Sequence, residues 1–284
     1  MRSVGFTILF LSLAFGLTAA DEEQGSFDKA LPVSGKVDLD VKTDSGGISI
    51  VPGSGGMVRV HAILKMQHDW FGSGDAMGRI RELERNPPVE QNGNHIRIGY
   101  VRDPGLLRGI SMRLEIETPP DTQVQAHADS GGIRVEGLRS SVNCKTDSGG
   151  IQISDIKADV RAAADSGGIR IEDVTGPVFA RVDSGGIVAR GIAGAVDAQA
   201  DSGGVRIAQT TPGPILARTD SGGVTVMLAP AAGYDLKVDS DSGNISVPEM
   251  SANAGFSRHH RDGKVRGGGP LVQVQVGSGS VTIN

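Results

Sequence analysis

The tetrapeptide Asp-Ser-Gly-Gly begins at Asp44, Asp129, Asp147, Asp165, Asp183, Asp201 and Asp220, and a variant, Asp-Ser-Gly-Asn, begins at Asp241. A serine set between a carboxylate and two glycines is a setting in which hydrolases place a nucleophile, so Ser148 and its counterparts are the first candidates for chemistry. Nucleophilic catalysis needs one serine, one base within hydrogen-bond reach and one oxyanion hole, assembled once. No copy here follows Gly and none precedes Pro, the flanks found around the nucleophile of chymotrypsin-like enzymes. Of the six histidines, His61, His68, His95, His127, His259 and His260, only His127 touches the regular part of the series, at its edge. No catalytic residue is expected in the motif.

The aspartates raise a second question. Stacked at a fixed interval, Asp129, Asp147, Asp165, Asp183 and Asp201 bring like charges about 5 Å apart, at a cost of roughly 1 kcal/mol per neighbour even in water. Two arrangements could offset this. Each Asp could cap its turn by accepting the backbone N–H two residues on, with Gly-Gly supplying positive φ, or the column could hold calcium, which takes several carboxylate and carbonyl oxygens. Turn capping is preferred, because the known calcium-binding coil repeat spaces its Gly and Asp at nine residues; no cofactor is expected. The run His259-His260-Arg261-Asp262 invites a transition-metal reading, but neighbouring strand residues point to opposite faces and the surrounding stretch is a polar insertion. Cys144 falls in a column otherwise occupied by Ala162, Ala180 and Ala198, so it reads as a small packed side chain rather than a reactive thiol.

The elements that carry these residues follow from the period. From Asp129 onward, successive motifs are 18, 18, 18, 18, 19 and 21 residues apart. After each comes an alternating triplet, as in Ile133-Arg134-Val135, Ile151-Gln152-Ile153 and Ile169-Arg170-Ile171, the mark of a strand with one buried side. Further apolar columns follow at Leu138, Ile156, Val174 and Ile192, and at Val142, Val160, Val178 and Val196. Each repeat thus contains two short strands and two turns. A unit this small cannot bury its own apolar side chains, but stacked units bury one another's. The predicted fold is all-β: a single-stranded parallel β-helix, or β-solenoid, with coils of about 18 residues. Seven coils, opened by Asp129 through Asp241 in chain order, make a rod of about 35 Å.

Outside the regular coils, residues 27–128 read as a strand-rich section with one short helix near 75–85. Ser73 or Asp75 is its N-cap, Met77, Ile80 and Leu83 its apolar side, and Pro87-Pro88 its stop. It is expected to pack over an end or edge of the sheet. Residues 129–284 form the coils, with a polar insertion near 251–269 and a closing strand–turn–strand, LVQVQVGSGSVTIN. Residues 1–20, with Arg2 ahead of an apolar run and Thr18-Ala19-Ala20 ahead of an acidic stretch, read as a secretory signal cut after Ala20, leaving 21–26 as a linker. An uncleaved anchor is the alternative. Composition agrees with strands and turns: 42 Gly and only 4% aromatic residues. Loss of Arg2 with the signal leaves 27 basic residues against 33 acidic ones. A mildly acidic chain with no basic cluster speaks against a nucleic-acid partner.

The order of strand pair, DSGGI turn, short helix, ETPPDTQVQAHADSGGI and stacked coils, closing in GGGPLVQVQVGSGSVTI, resembles the bacterial "putative adhesin" family. These are domains of unknown function built from repeated Ser-Gly-Asp/Gly-Ile turns. The resemblance covers residues 27–284, with one departure: Gly at the fourth motif position moves the acidic group to the front of the turn. It implies a β-solenoid exported to the periplasm, the cell surface or the medium. The expected role is non-enzymatic, adhesin-like or as an envelope-associated scaffold, with a surface or envelope partner that is a polysaccharide or a protein. Contact with a membrane is expected only through an uncleaved signal segment. The alternative is a carbohydrate-binding or carbohydrate-cleaving β-helix. Cleavage requires clustered acids on one face, whereas Arg134, Arg170 and Arg206 interspersed with Glu136 and Glu172 read as a solvated, cross-paired surface.

Overall fold

The computed structural model describes residues 24–67, 75–250, 255–257 and 259–284. The predicted signal, residues 1–20, lies outside them, as do His68 and Ser73. Two long sheets face each other, one of 12 strands and one of 13. Each coil gives one strand to each. Val142–Ser148, for example, lies in the larger sheet, turns through Gly149-Gly150, and continues as Ile151–Ile156 in the smaller. Neighbouring coils pair in parallel and in register, so that Val142 lies beside Val160 and Ile151 beside Ile169. The inward columns of Ile, Val and Ala are buried along the rod. Burying one such Ile or Val contributes about 1.5–3 kcal/mol, and no coil can do so without its neighbours. The β-solenoid is therefore the observed fold. Among the described residues no helix is long and apolar enough to cross a membrane.

The corner is closed by backbone. The N–H of Gly149 donates to the carbonyl of Ser166 at 2.9 Å, and that of Gly167 to Ser184 at 2.9 Å, continuing coil by coil. The N–H two residues after each of these aspartates is therefore taken by the next coil and is not capped by carboxylate, contrary to the turn-capping expectation. Positive φ belongs to the first glycine of the pair, as at Gly167 with φ +135°. A Cβ there would stand 1.9 Å from the carbonyl oxygen of Gly149, so stacking and dihedral both demand glycine.

Chain order and spatial order part at both ends. Val37–Ser45 and Ile48–Pro52 form a full coil that stacks directly on the Asp129 coil, with Ser45 beside Ser130 and Ile48 beside Ile133. Residues 27–128 are thus not set apart from the coils; their intervening strands and helix fold around the rod's first end. At the other end, Leu271–Ser278 pairs with Ile215–Ser221 on one side and with Tyr234–Ser242 on the other. The closing segment is inserted between the Asp220 and Asp241 coils, so the last coils do not follow chain order. The reason is the return strand His260–Val265, which pairs antiparallel with the outer edge of Tyr234–Ser242 and leaves its inner edge for the chain terminus.

The helix spans Ala76–Arg85, with Asp75 as N-cap accepting from the N–H of Gly78 at 2.7 Å. Its buried side is Ala76, Ile80 and Leu83, at positions i, i+4 and i+7. Met77, expected on that side, is exposed, because it sits about 100° around the helix from Ala76. The helix packs on the edge strand Gly25–Pro32 and on Met57–Met66 beside it. Glu84 accepts from the edge N–H of Ser26 at 3.1 Å, which covers a donor that would otherwise invite strand pairing.

Candidate functional site

The serines of the motif form a continuous column, with Ser148 flanked by Ser130 and Ser166 in register. Four of the described histidines engage aspartates. His61 Nδ1 lies 2.9 Å from Asp28, His95 Nδ1 2.9 Å from Asp38, His127 Nε2 2.8 Å from Asp129 and His260 Nδ1 2.6 Å from Asp239. His127 is the one in the corner region, and its ring is turned to a carboxylate.

The aspartates Asp129, Asp147, Asp165, Asp183 and Asp201 are brought into one outward column along the corner. Strand alternation places the residue two positions earlier on the same face. That neighbouring column reads Lys42, His127, Lys145, Ala163, Arg181, Gln199 and Arg218, in register across adjacent coils. Lys42 Nζ lies 3.7 Å from Asp44 and 3.8 Å from Asp129; Lys145 lies 3.7 Å from Asp147 and Arg181 3.9 Å from Asp183. Cations alongside, not turn capping, offset the charge of the column. These pairs are substantially exposed, so each contributes at most about 1 kcal/mol. Asp165 and Asp201 have Ala163 and Gln199 at the corresponding place. The signal was present in the sequence as a basic residue two positions before the motif. Among the described residues, His127, Asp129 and Asp147 form the one group of three potential metal-ligating side chains, with ligand atoms all within 4.8 Å of one another.

Cys144 is fully buried beside Ala126 and Ala162, and burial pushes its thiol from 9.0 up to about 12. A thiol held so far from ionisation is a poor nucleophile. His259 and His260 do not converge: His260 bonds to Asp239, whereas His259 is exposed.

A second place was not anticipated. A groove of about 570 Å³ lies on the outer face of the smaller sheet, where parallel pairing gives way to antiparallel. Four strands build it: Gly25–Pro32, Met57–Met66, Ile110–Thr118 and Ile48–Pro52. Across them Asp28, His61, Glu115 and Ser49 stand in one register row. Beside that row, Arg59 reaches Glu117 at 3.4 Å. The groove therefore joins three carboxylates, an imidazole and a guanidinium over an apolar floor that includes Ala30 and Val51. Each strand was legible alone, but their order in the sheet is not a local property of the sequence.

The sequence profile of the Toastrack DUF4097 family matches residues 80–284, well over half of the chain. The chain belongs to this family. No curated protein matches it. Solved structures are similar as well. A putative adhesin from Bacteroides fragilis shares 14% identity, with 95% of this chain and 100% of that one covered and a TM-score of 0.44. A putative cell adhesion protein from Clostridium sporogenes shares 10% identity, with 91% and 98% covered and a TM-score of 0.25. The Toastrack match begins at Ile80, inside the helix. Glu115 and Glu117 therefore fall within the Toastrack region, whereas Asp28, Ser49, Arg59 and His61 precede it, and the groove is assembled from both parts of the chain.

Proposed function

We propose that the protein is a non-enzymatic, exported module that works through its surface, adhesin-like or as an envelope-associated scaffold. The observation that carries this reading is the pair of long parallel sheets whose outer faces present side chains in coil register. On the smaller sheet Arg134, Gln152, Arg170, Val188 and Arg206 form one such row. A rigid array at strand spacing suits repeated contact with an extended partner on a surface or envelope, a polysaccharide or a protein. Its export is tested by mass spectrometry of the protein recovered outside the cytoplasm: an N-terminus at Asp21 supports the reading, and an intact Met1 in a cytosolic fraction overturns it.

The groove favours a second reading, a carbohydrate-binding or carbohydrate-cleaving β-helix, because Asp28, Glu115 and Glu117 supply the clustered acids that glycan chemistry requires. One screen separates the two. Purified protein is presented with cell-wall and host polysaccharides while binding and released sugars are both measured. Binding without release that Glu115→Gln leaves unchanged supports a surface module, binding lost in Glu115→Gln supports a glycan-binding groove, and released fragments that disappear in Glu115→Gln establish cleavage.

A further inference from the structure

The basic column beside the corner aspartates has one imidazole among its lysines and arginines. His127 stands between Lys42 and Lys145 on the adjoining strands. Its Nε2 lies 2.8 Å from Asp129 Oδ1, and a carboxylate oxygen of Asp147 on the next coil completes a trio whose atoms all lie within 4.8 Å. Two neighbouring ligands held at about 2.0–2.2 Å from one tetrahedral ion stand about 3.4 Å apart, so His127 Nε2 and Asp129 Oδ1, at 2.8 Å, need to part by only about half an ångström to admit it. A side-chain rotation brings in Asp147, because its strand is fixed by the coil ladder on both sides.

We propose that His127, Asp129 and Asp147 form a zinc site, with water completing the coordination. The donor chemistry selects the ion. One imidazole nitrogen with two carboxylate oxygens suits zinc, whereas calcium takes oxygen ligands. The imidazole also restricts the site to one coil. At the same position the following coils carry Lys145, Ala163, Arg181 and Gln199, none of which offers a ring nitrogen, so the aspartate column binds one ion at His127 and is not a ladder of ions.

The two lysines set the affinity. Lys42 lies 3.8 Å from the second oxygen of Asp129, and Lys145 lies 3.7 Å from Oδ1 of Asp147. Both are beyond hydrogen-bond reach, so they leave the carboxylates free to turn. Their charge nevertheless opposes a dication, and relieving it at a separation of several ångströms in water is worth about tenfold in binding.

The test is calorimetric titration of the purified protein with zinc, alongside cobalt as a spectroscopic reporter of nitrogen and oxygen ligation. One ion per chain is expected. His127→Ala and Asp147→Asn each weaken binding by about tenfold or more, Lys145→Ala tightens it by up to about tenfold, and His260→Ala leaves it unchanged although His260 also contacts an aspartate. These side chains face outward, and circular dichroism confirms that each variant retains the fold. Millimolar calcium does not compete. Absence of binding at millimolar zinc overturns the proposal, as does affinity that is unaltered in His127→Ala or that disappears in His260→Ala.

Discussion

At the scale of single residues, Cys144 and the corner glycines show how packing fixes chemistry. The thiol of Cys144 is pushed up to about 12 by burial, against an ordinary 9.0. Native protein is expected to resist a thiol reagent that labels it fully after unfolding. The same shift links stability to pH. Below about pH 9 the thiol is protonated in both states; between 9 and 12 the unfolded chain releases a proton that the folded chain keeps, so stability falls as pH rises. Denaturation of Cys144→Ala across this range lacks that component. At neutral pH the variant differs from the parent by no more than about 1 kcal/mol, because alanine fills the same column in neighbouring coils. Cys144 was legible because a column of small residues could be counted. The chemistry of His127 was not, since its partner Asp147 belongs to another coil.

The glycine pair gives a sharper contrast. In Gly167→Ala the new Cβ meets backbone at 1.9 Å with φ at +135°, whereas in Gly168→Ala it meets the nearest atom at 3.7 Å. Chemical denaturation is expected to show a loss of about 2–4 kcal/mol for the first and under about 1 kcal/mol for the second. Equal losses would mean that the corner relaxes and that stacking does not fix it.

At the scale of elements, the coil is two strands joined by a corner that the backbone itself closes, and the side chains at that corner are free for other contacts. Alternation in the triplets and the regular interval made both strands legible. The cations were equally present in the sequence, two residues before several of the motifs, but their meaning depended on learning that the glycine N–H was already taken. The helix follows the same logic. Asp75 and the spacing of Ile80 and Leu83 were sufficient to place it, while the burial of Ala76 instead of Met77 was set by its angle on Gly25–Pro32 and Met57–Met66. Asp75→Ala removes the acceptor for the Gly78 N–H. It is expected to lower stability by about 1 kcal/mol and to raise hydrogen exchange in the first helical turn. Unchanged exchange there would show that packing on Gly25–Pro32 alone holds the turn.

At the scale of the whole molecule, the rod's ends are made out of chain order, and that has a consequence for its cooperativity. Each coil of a solenoid is held by the two beside it. Deleting residues 271–284 removes the strands between the Asp220 and Asp241 coils. Hydrogen exchange is expected to show lost protection in Tyr234–Ser246, with protection retained around Asp147 and Asp165. If coils were stacked in chain order, the Asp241 coil would remain docked on the Asp220 coil and keep its protection.

The sequence by itself determined the coil: its two strands, its glycine corner, its inward columns and its parallel stacking all follow from alternation and period, which are local and repeat. Tertiary structure decided what the coils bring together. It inserted the last strand before the coil that precedes it in the chain, placed the Asp44 coil on the Asp129 coil, set a cation beside several of the corner carboxylates and gathered Asp28, His61, Glu115 and Ser49 into one row. These are pairings between distant segments, and such pairings are fixed by which sheet edge remains open when the chain returns, a property that belongs to the assembled rod and to no stretch of sequence within it.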